Sequence, residues 1–579
     1  MLLVLIVILI MPVVCVAAQT ITPEENAANQ AEFLRQQERE QLLREQQEQT
    51  PDVMSLQPSA LIKDIGRLPI QESPCFKIKQ IILVGDNAKR FQWALSAANR
   101  TEDGKKDPAI NRCLGTKGIN LVMRRIQNAI IKRGYITTRI LAKPQDLSQG
   151  TLKLTVIPGL IHDIRFLTKA QAYYGTIWNA VPASQGDLLN LRDIEQALEN
   201  FKRLPTVEAD IQIVPAVAAD NKSKVKPGES DLVISRKPKF PLRLSLSADD
   251  SGARATGKYL GNVTLSCDGW ALLNDLFYYN YNHDIGDGNP ASSGTGGHTV
   301  HYSVPYGYWL LGFTHSSNRY HQTVVGFPQN YIYSGESQND ELRLSKIIYR
   351  DAVRKIKLWL SGWRRNYRNF NDDVEIINQH KLMAGWELGI NHREFIRSST
   401  LDLSLHYKQG TGAMGALRAP GEENGEGTSR PQIIIANVQF NLPFAVGKQQ
   451  VRYTGEWRAQ WNQTPLVPQD RFGIGGRYTV RGFDGEVLLS ADRGWLIRND
   501  LSFALRNTRQ ELYVGIDHGQ VGGQSSESLI GTRLTGGVIG LRGSFLWFTY
   551  DVFASAPLAK PSGFKTSSKL AGFNLNFSV

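Results

Sequence analysis

Few residues in this chain have types and spacings that could carry enzyme chemistry, and none of them forms a site. His298 and His301 could ligate a metal, but they lie three apart in an alternating run and so point to opposite faces of a strand. The four cysteines, Cys15, Cys75, Cys113 and Cys267, lack zinc spacing. Gly473-Ile474-Gly475 could begin a dinucleotide loop, but Tyr478 stands where the third glycine is needed and no strand–helix unit surrounds it. Glu422, Glu423 and Glu426 sit among glycines and read as a solvated loop. The reading is therefore a non-enzyme, with no metal and no cofactor. The cysteine chemistry is structural. Cys75 precedes a strand and Cys113 a helix of one small unit, and in an exported chain their natural pairing is a disulfide. It would close a loop of roughly 40 residues and contribute about 2–4 kcal/mol. Cys267 alternates in phase with Val263 and Leu265 and reads as an inert thiol on an apolar strand face.

Export is read from residues 1–18, which are apolar and uncharged and end in Val16-Ala17-Ala18, a signal-peptide pattern without the usual basic start. Residues 19–49 follow as a long polar helix. Thr22 with Glu25 makes a capping box, Pro23 suits the first turn, and Glu40–Arg44 is a supporting i,i+4 pair. Phe33, Leu34, Leu42 and Leu43 are too few for an apolar stripe, so this helix must sit in water, as a spacer or inside a wet channel. Residues 50–72, with three prolines, read as a linker.

A pattern then occurs twice, over 73–158 and 159–238. The first copy places strands at Cys75–Leu83, Tyr135–Leu141 and Thr151–Ile157, with helices near Lys89–Ala98 and Gly118–Arg133. In the latter helix Ile119, Val122, Ile126 and Ile130 oppose a polar face of Arg124, Arg125, Gln127 and Asn128. The second copy places strands at Ile161–Phe166, Val207–Val214 and Asp231–Arg236, a short helix near Ala172–Ala180 and a clear one at Leu191–Leu204. Both are small α+β domains.

Beyond residue 239 helical periodicity disappears. Leu242, Leu244 and Leu246 alternate with polar residues, as do Leu401, Leu403 and Leu405, and Phe573, Leu575 and Phe577 near the end. Aromatics cluster at run ends, as in Tyr306-Gly307-Tyr308-Trp309. About 340 residues of such runs predict a transmembrane β-barrel, apolar outside and polar inside, of about 16 antiparallel strands.

Here the chain resembles a known family, the outer-membrane (TpsB-type) transporters of two-partner secretion within the Omp85 superfamily. The resemblance rests on Val480-Arg481-Gly482-Phe483 after Asp470-Arg471-Phe472-Gly473-Ile474-Gly475-Gly476, and on Tyr513-Val514-Gly515-Ile516-Asp517-His518-Gly519. It also rests on Pro74-Cys75-Phe76, Gly134-Tyr135, and Val156-Ile157-Pro158-Gly159, and on the order of signal, polar helix, linker, two domains and barrel. It implies that the two α+β units are periplasmic POTRA domains. It implies that a loop near 463–494 folds into the barrel, with Arg481 at its tip paired to Asp517 on the wall near Gly519. Gly482 would allow the turn and Phe483 would pack against the wall. The implied function is ATP-independent secretion of a large, unfolded, β-rich exoprotein (TpsA-like: haemolysin, adhesin or contact-dependent toxin) captured by the POTRA domains, with helix 19–49 plugging the resting pore. The other implied partners are outer-membrane lipids and the barrel-assembly machinery, and the transporter itself is expected to be a monomer. The alternative is an Omp85-type assembly factor or insertase. Val579 departs from the aromatic that usually ends such barrels; Phe577 lies one pleat earlier.

The net charge of +12 divides unevenly. Residues 19–49 carry 3 basic and 7 acidic residues, 50–239 carry 29 and 18, and 240–579 carry 34 and 29. Nucleic acid is thus not an attractive partner. An acidic helix held by a basic lumen is expected, with salt loosening the hold.

Overall fold

The computed structural model describes residues 23–48, 52–53, 66–101, 104–168, 175–217, 225–286, 293–326, 329–506 and 508–579. The segments expected to be signal peptide and, for the most part, linker lie outside the described residues, as do Thr22 and the side chain of Glu25.

The first α+β domain pairs Gln80–Val84 in parallel with Thr151–Ile157, which pairs antiparallel with Arg139–Leu141. The single strand expected at Cys75–Leu83 is two pieces. Phe76–Lys77 joins Cys113–Leu114 in a separate ladder, beside the Cys75–Cys113 disulfide. The first helix, Ala88–Asn99, is of the 3-10 type; α2 spans Thr116–Lys132 and stops before Gly134, whose φ is +98°. Phe91, Ile126, Ile130, Leu152 and Leu154 fill the core. The polar face of α2 is largely buried. Arg125, Gln127 and Asn128 are buried, because Arg125 pairs with Asp107 at 2.7 Å and Gln127 caps the edge strand through Thr138 O and Ile140 N.

The second domain places Leu160–Phe166 parallel to Glu229–Pro238, with Val207–Pro215 antiparallel on the other side. Helix α3, Leu191–Lys202, is capped by Asn190, which accepts from Arg192 N at 2.9 Å. Its apolar Ile194, Leu198 and Phe201 cover the sheet. Of the short helix expected near Ala172–Ala180, only residues 175–180 are described, and they form turns.

Sixteen antiparallel strands, from Leu242–Asp249 to Leu570–Ser578, close into a barrel, the last pairing with the first from Asn574↔Asp249 to Ser578↔Ser245. Alternation sets the two faces: Leu242, Leu244 and Leu246 are exposed on the outer surface, whereas Arg243 reaches Asp268. Cys267 lies on the outward face with Val263 and Leu265. Phe577 is outward too, and Val579 exchanges backbone hydrogen bonds with Leu244 at 2.9 and 3.0 Å.

Candidate functional site: an inward loop and a threaded helix

The lumen holds two elements. The first is the segment between the strands Gln449–Asn462 and Arg493–Ala504. Its base is pinned by Asp470, which takes Lys408 at 2.5 Å and Arg365 at 3.4 Å. A short ladder, Phe472–Ile474 with Leu489–Ala491, carries the chain inward and back. At the tip Arg481 meets Asp517 on the strand Gln510–Gly522. Its Nε donates to Oδ2 at 2.6 Å, its Nη2 to Oδ1 at 2.7 Å, and its backbone N–H to Oδ2 at 3.0 Å. Arg481 is 7% exposed and Asp517 fully buried. Burial opposes the guanidinium charge, but the hydrogen bonds and charges of the two aspartates around it outweigh that and raise its pKa. Val480 and Phe483 are buried, Phe483 edge-on against Phe564 at 5.7 Å. Gly482 has φ +101°, open to glycine without strain, and a Cβ there would lie 2.4 Å from Ala556 O. A Cβ on Gly519 would press Val480 at 2.9 Å.

Every residue assigned to this site from the sequence therefore meets the others in one place. Three participants were missed, one of them Arg498, whose Nη1 donates to Tyr478 O of the loop at 3.1 Å and whose Nε lies 3.9 Å from Asp517 Oδ2. Asp500 accepts Arg481 Nη2 at 2.6 Å, so the arginine bridges two carboxylates. Gly536 lies opposite Asp517, and a Cβ on it would be 1.6 Å from Arg481 O. The only signal for either is strand register: Asp500 sits opposite Gly515 and Gly536 opposite Asp517. That register is invisible until the strands are aligned.

The second element is α1, Pro23–Gln47. At 1.5 Å per residue its 25 residues reach about 37 Å, enough to cross a hydrocarbon core of about 30 Å. It threads the barrel beside the inward loop. Gln30 bonds Ser490 and the Pro468 carbonyl, Gln37 the Gln469 carbonyl, and Arg35 the Gly485 carbonyl at 2.6 Å. Further along, Gln36 meets Ser337, Glu40 accepts from Ser316 and Asn318, and Gln47 meets Ser266. Phe33 is the single large apolar anchor, edge-on to Tyr320 and Tyr367 at 5.8 and 5.1 Å. A cavity of about 220 Å³ remains between α1 and the loop. Past α1, Asp52 pairs with Arg393 and Lys355, and Val53 bonds Glu199 of α3 and Arg350 at the barrel rim.

The charge expectation divides here. Glu38 faces the wall arginine Arg458 across the cavity, whereas the buried Glu32 finds its cations, Arg35 and Arg39, in its own helix, each at 2.9 Å. Among the described side chains, the direct ion pair of α1 with the wall has the helix offering the cation: Arg44 with Glu341 at 2.8 Å. The anticipated Glu40–Arg44 pair is replaced, because wall hydroxyls and amides take Glu40 and the wall carboxylate takes Arg44.

A family model for haemolysin secretion/activation proteins of the ShlB/FhaC/HecB type matches residues 228–543, more than half the chain. The chain belongs to the two-partner secretion transporters of the Omp85 superfamily. ShlB-type and general POTRA models match residues 77–159 and 160–215, the two α+β domains. The outer membrane transporter CdiB-2 of Burkholderia pseudomallei (strain 1026b) is 34% identical over 583 residues, 96% of each chain. The haemolysin transporter protein ShlB of Serratia marcescens is 25% identical over 420 residues, 71% of each. The solved structure of CdiB from Acinetobacter baumannii superposes with a TM-score of 0.80 at 30% identity, covering 97% of this chain and 100% of that one. This TpsB transporter thus resides in the outer membrane with its POTRA domains in the periplasm, and it acts with a TpsA-type exoprotein.

Proposed function

We propose that this transporter works as a plugged pore with a fixed gate: α1 occupies the lumen at rest and withdraws to the periplasm, while the Arg481 loop stays seated and the exoprotein passes beside it. The observation that carries this reading is the threading of α1 through the barrel on dispersed polar contacts, next to a loop tip held by converging charges. The sheet of the second POTRA domain offers the edge strand Val207–Pro215, to which an unfolded segment adds as a strand. No nucleotide is needed if the exoprotein folds at the cell surface, since each stacked β-repeat then disfavours return. The resemblance to CdiB proteins favours a contact-dependent toxin as the cargo.

The test is to tether the helix. Gln36 and Ser337 touch at 3.1 Å, and Gln36→Cys with Ser337→Cys would bond α1 to the wall. Secretion should stop when the pair is oxidised and return on reduction. Normal secretion with the tether complete would sink the reading.

A further inference from the structure

The second POTRA domain carries a tryptophan where a periplasmic domain has no need of one. Trp178 is 63% exposed, and its ring lies 5.9 Å from that of Tyr306. Tyr306 ends the strand Ser293–Tyr306, and the alternation of that strand, with Thr299, His301 and Ser303 buried inward, puts Tyr306 on the outer, lipid-facing side. A ring resting on Tyr306 is therefore outside the barrel wall, at the level of its periplasmic rim. One hairpin away, Trp270 packs in the same way on Phe277, at 4.9 Å, on the outward face of the neighbouring strand Leu276–Asp284. Trp309, paired across the turn from Tyr306, is also exposed.

The backbone holds Trp178 in this place. Gly307 N donates to Asn179 O at 2.7 Å, Asn179 Nδ2 to Leu273 O at 2.5 Å, and Asn274 Nδ2 to Thr176 O at 2.8 Å. The segment 176–179 is thereby fastened to two barrel turns, which keeps the backbone of Trp178 at the barrel rim. Single exposed apolar side chains are ordinary on a protein surface. This one is continuous with the aromatic belt of the barrel, and tryptophan favours the headgroup level, where its ring is half immersed and its N–H stays wet.

We infer that Trp178 is a membrane contact, by which POTRA 2 seats itself in the phospholipid headgroups of the inner leaflet. The domain that receives the exoprotein is then fixed against the bilayer as well as against the barrel.

Photo-crosslinking of the full-length transporter tests this. A benzoylphenylalanine is placed at 178, at 270 as the belt control, or at exposed Leu141 of POTRA 1 as the periplasmic control. The protein sits in vesicles of phosphatidylethanolamine, phosphatidylglycerol and cardiolipin. The expected result is a phospholipid-mass adduct at 178 with a yield comparable to that at 270 and well above that at 141. A yield at 178 no greater than at 141, with 270 reacting, overturns the inference. So does a 178 adduct to the protein's own chain in place of lipid.

Discussion

The loop tip and the threaded helix share one lumen and are held by opposite strategies. At the tip, charge converges: one arginine makes four hydrogen bonds to two carboxylates inside a shell of Ile474, Val480, Phe483 and Leu534. Along α1 the contacts are spread over its length: Gln30, Gln36, Gln37 and Gln47 make neutral hydrogen bonds, Glu32, Arg35, Glu40 and Arg44 charge-assisted ones, and there is one aromatic anchor. The neutral bonds are each worth about 0.5–1.5 kcal/mol and those to charged groups about 1.5–3 kcal/mol, but each is single and can be exchanged for water one at a time. Breaking a buried ion pair instead strands a charge at about 3–5 kcal/mol. The difference separates a part built to stay from a part built to be released.

The comparison breaks most sharply at the tip. Arg481→Ala leaves the buried Asp517 with the more distant Arg498, at 3.9 Å, in place of its bidentate partner, and we expect the barrel to assemble while secretion falls at least tenfold at equal transporter abundance. Arg481→Lys should restore little, because a point charge cannot bridge two carboxylates. Gly536→Ala should give the same loss without touching a charge, since its methyl takes the place of the Arg481 carbonyl. Heat-modifiability in gels would show intact barrels, and exoprotein in the medium would show export. Normal secretion by both variants would dissolve the distinction between gate and plug.

Phe33→Ala comes next. It removes the aromatic anchor between Tyr320 and Tyr367 and should destabilise the docked helix by about 3 kcal/mol, seen as a larger open fraction in planar-bilayer conductance. Secretion should persist, because the helix must leave in any case. Unchanged conductance would mean that the polar contacts hold the helix unaided.

Much of this architecture was legible because it repeats. Alternation over 340 residues announces a barrel, and Ile126 with Ile130, or Ile194 with Leu198, announces helices over a sheet. The tip was legible through family resemblance: Arg481 and Asp517 lie 36 residues apart, and nothing in their spacing brings them together. Asp500 and Gly536 stayed hidden because cross-strand register decides their role. The charge balance of α1 informed only in part, because net charge does not say which partner is nearest. Glu38 lies near the wall arginine Arg458, but Glu32 is neutralised within its own helix and Glu40 by neutral donors.

That division yields the smallest prediction. If the acids of α1 were gripped by a basic lumen, raising ionic strength would release the helix. In the structure Arg44–Glu341 is the cross ion pair in which the helix supplies the cation, and it is partly exposed, at 28% and 20% of its side chains. Such a pair contributes about 1 kcal/mol at most. Arg44→Gln should therefore raise the open fraction only a few-fold, and added salt should move the wild type by no more than that and the variant by less. A steep salt dependence that survives Arg44→Gln would return the hold to long-range charge. The helix would then resemble the tip more than its contacts imply, held by electrostatics rather than by many exchangeable bonds.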